Sequence, residues 1–251
     1  KEFFAEQKAL AEQPTRISPW RDKCKRLKEN KVDYGFFLRF NKKLQNMSPE
    51  EFIDKILSKL NIKYLMVGDD FKFGKERSGD FDFLSNWGSN NQIKVDRIPT
   101  HSFEGRRVSS TWIRESIADG NFELAEKLLD RRYTFSGKVV FGNRVGRTIG
   151  IPTANIWVPK SNLPIKGVYA VKALVKGETF NGIANMGVRP TVGGTSPVLE
   201  IHIFDFNEEI YGHRIEVEFY QKIREERKFE NLNKLKEQIN LDIEETRKYF
   251  S

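Results

Sequence analysis

The sequence is poor in cysteine, histidine and methionine: one Cys, three His and three Met in 251 residues. A lone Cys24 excludes an internal disulfide framework and fits a reducing compartment, so a cytoplasmic setting is expected. The histidines, His101, His202 and His213, are isolated and supply no zinc-binding spacing. No apolar run approaches the roughly 20 residues needed to cross a bilayer. No secretory pattern follows Lys1, and neither internal repeats nor a low-complexity linker interrupt the chain. Membrane attachment is therefore not expected.

Hydrophobic residues make up 38% and aromatics 12%, with 20 Phe, enough for packed cores in one large or two ordinary domains. Lys and Arg outnumber Asp and Glu by 43 to 35, a net charge of +8. Such an excess suits a polyanion, either nucleic acid or a nucleotide's phosphates, and equally a mildly basic soluble protein. The charges are dispersed. The densest cluster, Arg21 to Lys28, is broken by Asp22 and carries no RNA-binding signature, so no nucleic-acid partner is expected. Homo-oligomerisation stays open.

Helix and strand signals alternate in the first half. Ser18-Pro19-Trp20 predicts a capped helix running to about Asn30. Tyr34–Phe40 reads as a buried strand. Ser48-Pro-Glu-Glu51 is a capping box ahead of helically spaced Phe52, Ile56, Leu57 and Leu60. Strands are predicted over Lys63–Gly68 and Gln92–Ile98. Helices are predicted after Ser109-Ser110-Thr111 and after Asn121. This alternation implies a parallel sheet flanked by helices, with ligands at the carboxyl ends of its strands. The turn after Val67 is one such end.

Past Arg131-Arg132-Tyr133 the texture changes to short strands between glycine-rich turns: Thr134–Phe141, Gly167–Val175, Phe180–Met186, Val198–Phe206 and Arg214–Tyr220. That pattern predicts an antiparallel barrel. A final helix capped by Asn231 presents Leu232, Leu235, Ile239, Ile243, Thr246 and Phe250 to it. The boundary is placed near residue 131.

Three segments of the second half carry chemistry. In Phe141-Gly-Asn-Arg-Val-Gly-Arg-Thr-Ile-Gly-Ile-Pro-Thr-Ala-Asn155, Gly142, Gly146 and Gly150 allow backbone N–H groups to approach an anion. Arg144 and Arg147 add charge, and Pro152 stiffens the approach to Thr153. The Thr153 hydroxyl and Asn155 carbonyl, two residues apart, face one ion if the segment is extended, and hard oxygens suit Mg²⁺. Gly182-Ile-Ala-Asn-Met-Gly-Val-Arg-Pro-Thr191 offers Asn185 and Arg189 to a ligand. In Leu199-Glu-Ile-His-Ile-Phe-Asp-Phe206, Glu200 and His202 project to one side and Leu199, Ile201 and Ile203 to the other. A carboxylate there is placed to accept a hydroxyl proton. Taken singly, these segments read better as a flexible hairpin, a strand end and a solvated strand face.

In order, they resemble the riboflavin kinase family. Gly150–Asn155 matches its Gly-x-Pro-Thr-Ala-Asn motif, and Glu200 the acidic residue of its Leu-Glu-x-His-x-Phe strand. Tyr211-Gly212 and Arg224-Glu-Glu-Arg-Lys-Phe229 match as well, and the likeness spans residues 131–251. It implies a six-stranded barrel in which Thr153 and Asn155 hold Mg²⁺ and the phosphates of ATP. Glu200 activates the riboflavin hydroxyl, and Gly142, Arg144, Gly146, Arg147, Gly150, Pro152, Asn185, Arg189, Tyr211 and Arg224 surround ATP and flavin.

The first half holds two further segments. One is Val67-Gly-Asp-Asp-Phe-Lys-Phe-Gly74, followed by Gly79-Asp80-Phe81. The other is Arg107-Val-Ser-Ser-Thr-Trp-Ile-Arg114, whose Ser109, Ser110 and Thr111 open a helix, where free N–H groups attract phosphate, with Arg114 one turn on. An ordinary cap followed by a solvated Arg is the plain alternative. Both segments resemble the FMN adenylyltransferase module of bacterial bifunctional FAD synthetases, an α/β nucleotidyltransferase (Rossmann-like) fold. That implies a nucleotide and flavin site at Gly68, Asp69, Asp70, Phe71, Phe73, Ser109, Ser110, Thr111 and Arg114, where FMN and ATP yield FAD and pyrophosphate. The superfamily's His-x-Gly-His motif is absent from these 251 residues. The chain opens on Lys, and the module is expected to be N-terminally incomplete over residues 1–130. The expectation is therefore FMN synthesis here and FAD synthesis in a complete chain. A flavin-binding or regulatory module without turnover, and a basic nucleic-acid binder, are the competing classes.

Overall fold

The computed structural model describes residues 15–142, 146, 149–158, 163–191 and 194–251, without the side chains of 188–191 and 194–196. The described residues form two compact units. One is Tyr34–Val108; the other joins the residues up to Asp33 to Ser109–Ser251.

The second unit begins with α1, Trp20–Glu29. Its N-cap is Pro19, with no side-chain cap, so the expected Ser18 cap does not form.

In the first unit, α2 is Lys42–Gln45 and α3 is Pro49–Lys55. The predicted capping box is present: the Glu51 N–H donates to Ser48 Oγ at 3.2 Å, and the Ser48 N–H to Glu51 Oε2 at 3.1 Å. β1, Tyr64–Gly68, pairs in parallel with β2, Lys94–Ile98, and α4, Phe81–Asn90, lies between them in sequence. β3, Ser102–Phe103, and β4, Arg106–Arg107, form a short antiparallel hairpin. Ile53, Val67, Phe73 and Leu84 make the core. The strand expected over Tyr34–Phe40 is not formed. Residues 32–41 have no regular structure, and Tyr34 and Phe36 are 83% and 72% exposed. A strand persists only where a neighbour accepts its ladder bonds, and none of the described strands pairs with this segment.

The rest of the second unit starts with α5, Ser110–Ala118, and α6, Phe122–Leu129. β5 to β10 follow: Thr134–Val140, Ala154–Trp157, Gly167–Val175, Glu178–Thr191, Gly194–Ile203 and Arg214–Arg224. The unit ends in α7, Leu232–Phe250. The strands close an antiparallel barrel in the order β10-β5-β6-β9-β8-β7, which leaves no free edge. β6 was not predicted as a strand. It is four residues long and sits behind a Gly- and Pro-rich stretch that reads as loop.

Alternation fills the barrel. Ile215, Val217 and Phe219 are at most 1% exposed, whereas Glu216 and Glu218 between them point outward. Phe122, the first residue of α6, packs against Tyr133, Tyr169 and Phe219 at 5.6–6.2 Å between ring centres. α1 is tied to the barrel through Asp22, which is 5% exposed and accepts from the N–H of Ser136 at 2.9 Å and from its hydroxyl. On α7 the buried positions are Asp242 and Thr246, while Leu232, expected to face the barrel, is 54% exposed. No described helix is long and apolar enough to cross a membrane.

Candidate active site

Antiparallel pairing brings three polar side chains into one row. Glu200 of β9 stands opposite Asn155 of β6 on one side and Asn185 of β8 on the other. Directly paired residues share a face of the sheet. Leu199 and Ile201, the neighbours of Glu200, are wholly buried on the opposite, inward face. The row is thus on the outside of the barrel.

A cavity of about 350 Å³ lies on this side. Glu200, Asn185, His202 and Thr153 line it, and so do Gly146, Arg224, Glu226 and Arg227. Its apolar lining includes Ile149, Ile151, Val168 and Ile183, with Phe229, Leu235 and Ile239 contributed from the chain around and within α7. A second cavity, about 80 Å³, is lined by Pro152, Thr153, Ala154, Phe206, Ile210 and Tyr211. Thr153 borders both.

Asn155 itself is 4% exposed and does not line the larger cavity. A Cβ on Gly142 would lie 2.4 Å from the Asn155 amide. Only glycine at 142 lets the backbone cover that side chain. Gly150 takes φ +82 in the turn before Pro152. Pro152 O is 2.8 Å from His202 Nδ1. Tyr211 stacks on Phe141 at 4.1 Å. Arg144 and Arg147 lie outside the described residues, as does the side chain of Arg189. Its backbone belongs to β8, opposite Ser196.

Arg224 lines the cavity but is engaged. Its Nε is 3.0 and 2.9 Å from the two Asp242 oxygens and its Nη2 is 2.8 Å from Oδ2; Asp242 also accepts from Gln238 at 2.6 Å. Asp242, Glu226 and Phe229 were not singled out from the sequence. The readable signal for Asp242 was a carboxylate at helical spacing between Ile239 and Thr246, on the face that must be buried. Glu226 and Phe229 were inside the matched Arg224–Phe229 segment.

In the first unit, Gly68 ends β1 and Asp69 and Asp70 follow it. Arg107 bridges both carboxylates, at 3.2 and 2.9 Å, and Thr100 also donates to Asp69. Phe71 stacks on Phe73 at 5.7 Å. Phe73, at 7% exposure, sits in the core with Phe52 and Phe83. Ser109, Ser110, Thr111 and Arg114 belong to the other unit. Ser109 caps α5 by accepting from Trp112 N at 3.2 Å, and Arg114 donates to Thr111 Oγ1 at 3.2 Å across one turn.

No group of three or more His, Cys, Asp and Glu that could hold a metal occurs among the described residues. A hard divalent ion that keeps waters and shares phosphate oxygens needs only one or two protein oxygens, and Thr153 and Asn155 supply that kind of donor.

The second unit is thus a closed six-stranded antiparallel barrel with a C-terminal helix, the fold expected of a riboflavin kinase. A family model described as riboflavin kinase matches residues 129–250, and one described as FAD synthetase matches residues 2–112. The chain belongs to the family of bifunctional riboflavin kinase/FMN adenylyltransferases. The Haemophilus influenzae member is 44% identical over 240 residues, covering 95% of this chain and 78% of its own. The Escherichia coli K12 member is 42% identical over 251 residues, covering 99% and 79%. A crystal structure titled macrolide-efflux protein, from Streptococcus pneumoniae, matches with a TM-score of 0.79 at 30% identity, covering 98% of this chain and 86% of that one.

Proposed function

We propose that residues 131–251 transfer the γ-phosphoryl group of ATP to the 5′-hydroxyl of riboflavin, giving FMN and ADP. The observation that carries this reading is the Asn155–Glu200–Asn185 row, of which Glu200 and Asn185 line, with Thr153, a cavity of about 350 Å³. The apolar wall takes the ring and the polar row takes the alcohol chain. Glu200 accepts the hydroxyl proton as the oxygen attacks the γ-phosphorus and the bond to the β-phosphate oxygen breaks. Phosphoryl transfer asks mainly for positioning and charge neutralisation, and proton removal need only accompany attack. Thr153 and Asn155 are the oxygen donors that would hold Mg²⁺, which would offset the charge of the phosphates. Tyr211, in the wall of the smaller cavity that Thr153 also borders, is placed near the nucleotide.

Residues 1–130 carry the adenylyltransferase half, and the FAD synthetase match over residues 2–112 supports this. Gly68, Asp69, Asp70 and Phe71 contribute to its nucleotide and flavin site, with Phe73 packing the turn from beneath. Ser109, Ser110, Thr111 and Arg114 bind phosphate at the start of α5. FAD formation from FMN and ATP is the activity proposed for this half, and the His-x-Gly-His motif is absent from the 251 residues. The lone cysteine is compatible with a cytoplasmic location.

Riboflavin, ATP and Mg²⁺ are incubated with the protein and the flavins separated. FMN is the expected product, and Glu200→Gln is expected to lower turnover roughly 10²–10⁴-fold while ATP binding persists. Undiminished turnover in that variant would refute the assignment of Glu200.

A further inference from the structure

We infer that His202 is a positioning residue that locks the Pro152–Thr153 turn onto the strand carrying Glu200. This rests on the kinase reading above. Thr153 lies outside the barrel's ladder, because the first β6 residue paired to β9 is Ala154, opposite Ile201. Besides the Ile151 N–H, which donates to the Gly146 oxygen at 2.8 Å, a contact outside the sheet must hold the Thr153 turn beside the Glu200 strand.

The His202 ring does this. It leaves β9 on the same face as Glu200, two residues on, and its Nδ1 is 2.8 Å from the Pro152 carbonyl oxygen. Among the described residues, no other side chain is hydrogen-bonded to the segment 149–153. A carbonyl oxygen only accepts, so Nδ1 carries the hydrogen, and in the neutral ring Nε2 is left as an acceptor. The ring is itself braced. It meets Phe204 edge-on at 5.6 Å, and Phe204 is 3% exposed, packed with Val168 and Ile183. The Arg247 guanidinium covers Phe204 at 4.5 Å and forks onto Asp205 at 3.1 and 2.9 Å. The turn, the Glu200 strand and α7 thus share one chain of contacts. His202 lines the larger cavity beside Thr153 and Glu200, so displacing it moves the phosphate-binding turn without removing either group.

Two variants separate the ring's nitrogens. The side-chain amide N–H of Asn reproduces the Nδ1 position, and that of Gln the Nε2 position. Both are small enough to stand against Phe204. MgATP affinity is measured by titration, FMN formation by flavin separation, and riboflavin affinity by quenching of its fluorescence. His202→Asn is expected to stay within about threefold of the parent in all three. His202→Gln is expected to lose roughly tenfold in MgATP affinity and in kcat/KM for ATP, the scale of one hydrogen bond that fixes a ligand group. The thermal midpoint should hold in both, and riboflavin affinity should change less than MgATP affinity in His202→Gln. The inference is overturned if both variants match the parent, or if Gln is the better substitute, which would assign the role to Nε2. A parent protein that forms no FMN would reject the kinase reading. The MgATP titration would still decide whether His202 holds the turn.

Discussion

The Arg224–Asp242 pair offers the sharpest test of how the cavity is built. Asp242 is 2% exposed, yet it faces three guanidinium contacts between 2.8 and 3.0 Å and a further donor, Gln238. It joins α7 to the end of β10 beside the cavity. Asp242→Ala leaves a guanidinium against an apolar wall without its counter-ion. Breaking a buried pair from one side typically costs about 3–5 kcal/mol. Arg224 keeps 18% side-chain exposure, so water recovers part of this and about 3 kcal/mol is the working figure. For a protein of this size that is a drop of roughly 6–12 °C in the barrel's thermal midpoint. The double variant Arg224→Met/Asp242→Leu removes both charges and should regain most of the loss, since an apolar pair of similar volume is often as stable as a buried ion pair. Riboflavin should bind more weakly to Asp242→Ala, because Leu235 and Ile239 of α7 line the cavity, with ATP affected less. Calorimetry of parent, both single variants and the double supplies the cycle. If Asp242→Ala melts within a degree of the parent, or the double variant is less stable than either single one, the pair does not hold the helix. If the double variant instead loses ATP affinity, Arg224 contacts the nucleotide.

Three further outcomes follow from the packing. Gly142→Ala places a methyl group 2.4 Å from the Asn155 amide, and FMN formation should fall at least about tenfold with little change in melting; normal turnover would show that Asn155 is not constrained from above. Tyr133 is fully buried and its hydroxyl has no hydrogen-bond partner among the described residues, so Tyr133→Phe should melt at or above the parent's temperature, and a fall of several degrees would mean that the hydroxyl is satisfied. Burial pushes the Tyr169 hydroxyl up to about 12 and that of Tyr133 also above its ordinary 10.0. Folded pKa values raised in this direction stabilise the native state fully below about pH 10 and lose that contribution as pH climbs toward 12. Tyrosinate absorbance and circular dichroism should therefore show late ionisation coinciding with unfolding, and a single midpoint near 10 with the fold intact would contradict this.

Much of the architecture was legible because the signals are local. The Ser48, Ser109, Asn121 and Asn231 caps are bonds between residues three apart, and each helix starts where its cap predicts. The division of β9 into an inward Leu199, Ile201, Ile203 face and an outward Glu200, His202 face follows from a period of two. β6 escaped notice because four residues carry too little alternation to outweigh the glycines before them. Tyr34–Phe40 misled because an apolar run records strand preference and not the presence of a partner strand. The cap expected at Ser18 failed because the helix entered one residue later than the dipeptide suggested.

The candidate site divides in the same way. Thr153, Asn155 and Glu200 were recognisable as chemically suited groups in ordered motifs, so the sequence alone determined the family, the reaction class and the residues to test. It did not determine that Asn155, Glu200 and Asn185 stand side by side. They are contributed by strands 15 to 45 positions apart, and only the barrel's register aligns them. Nor did it pair Arg224 with Asp242, turn His202 toward Pro152, or pack α1, α5 and α6 in the same compact unit as the barrel. Those outcomes depend on which strand edges meet and which side chains are buried together. Such contacts are non-local, and their energies are settled only when the whole chain has closed around them.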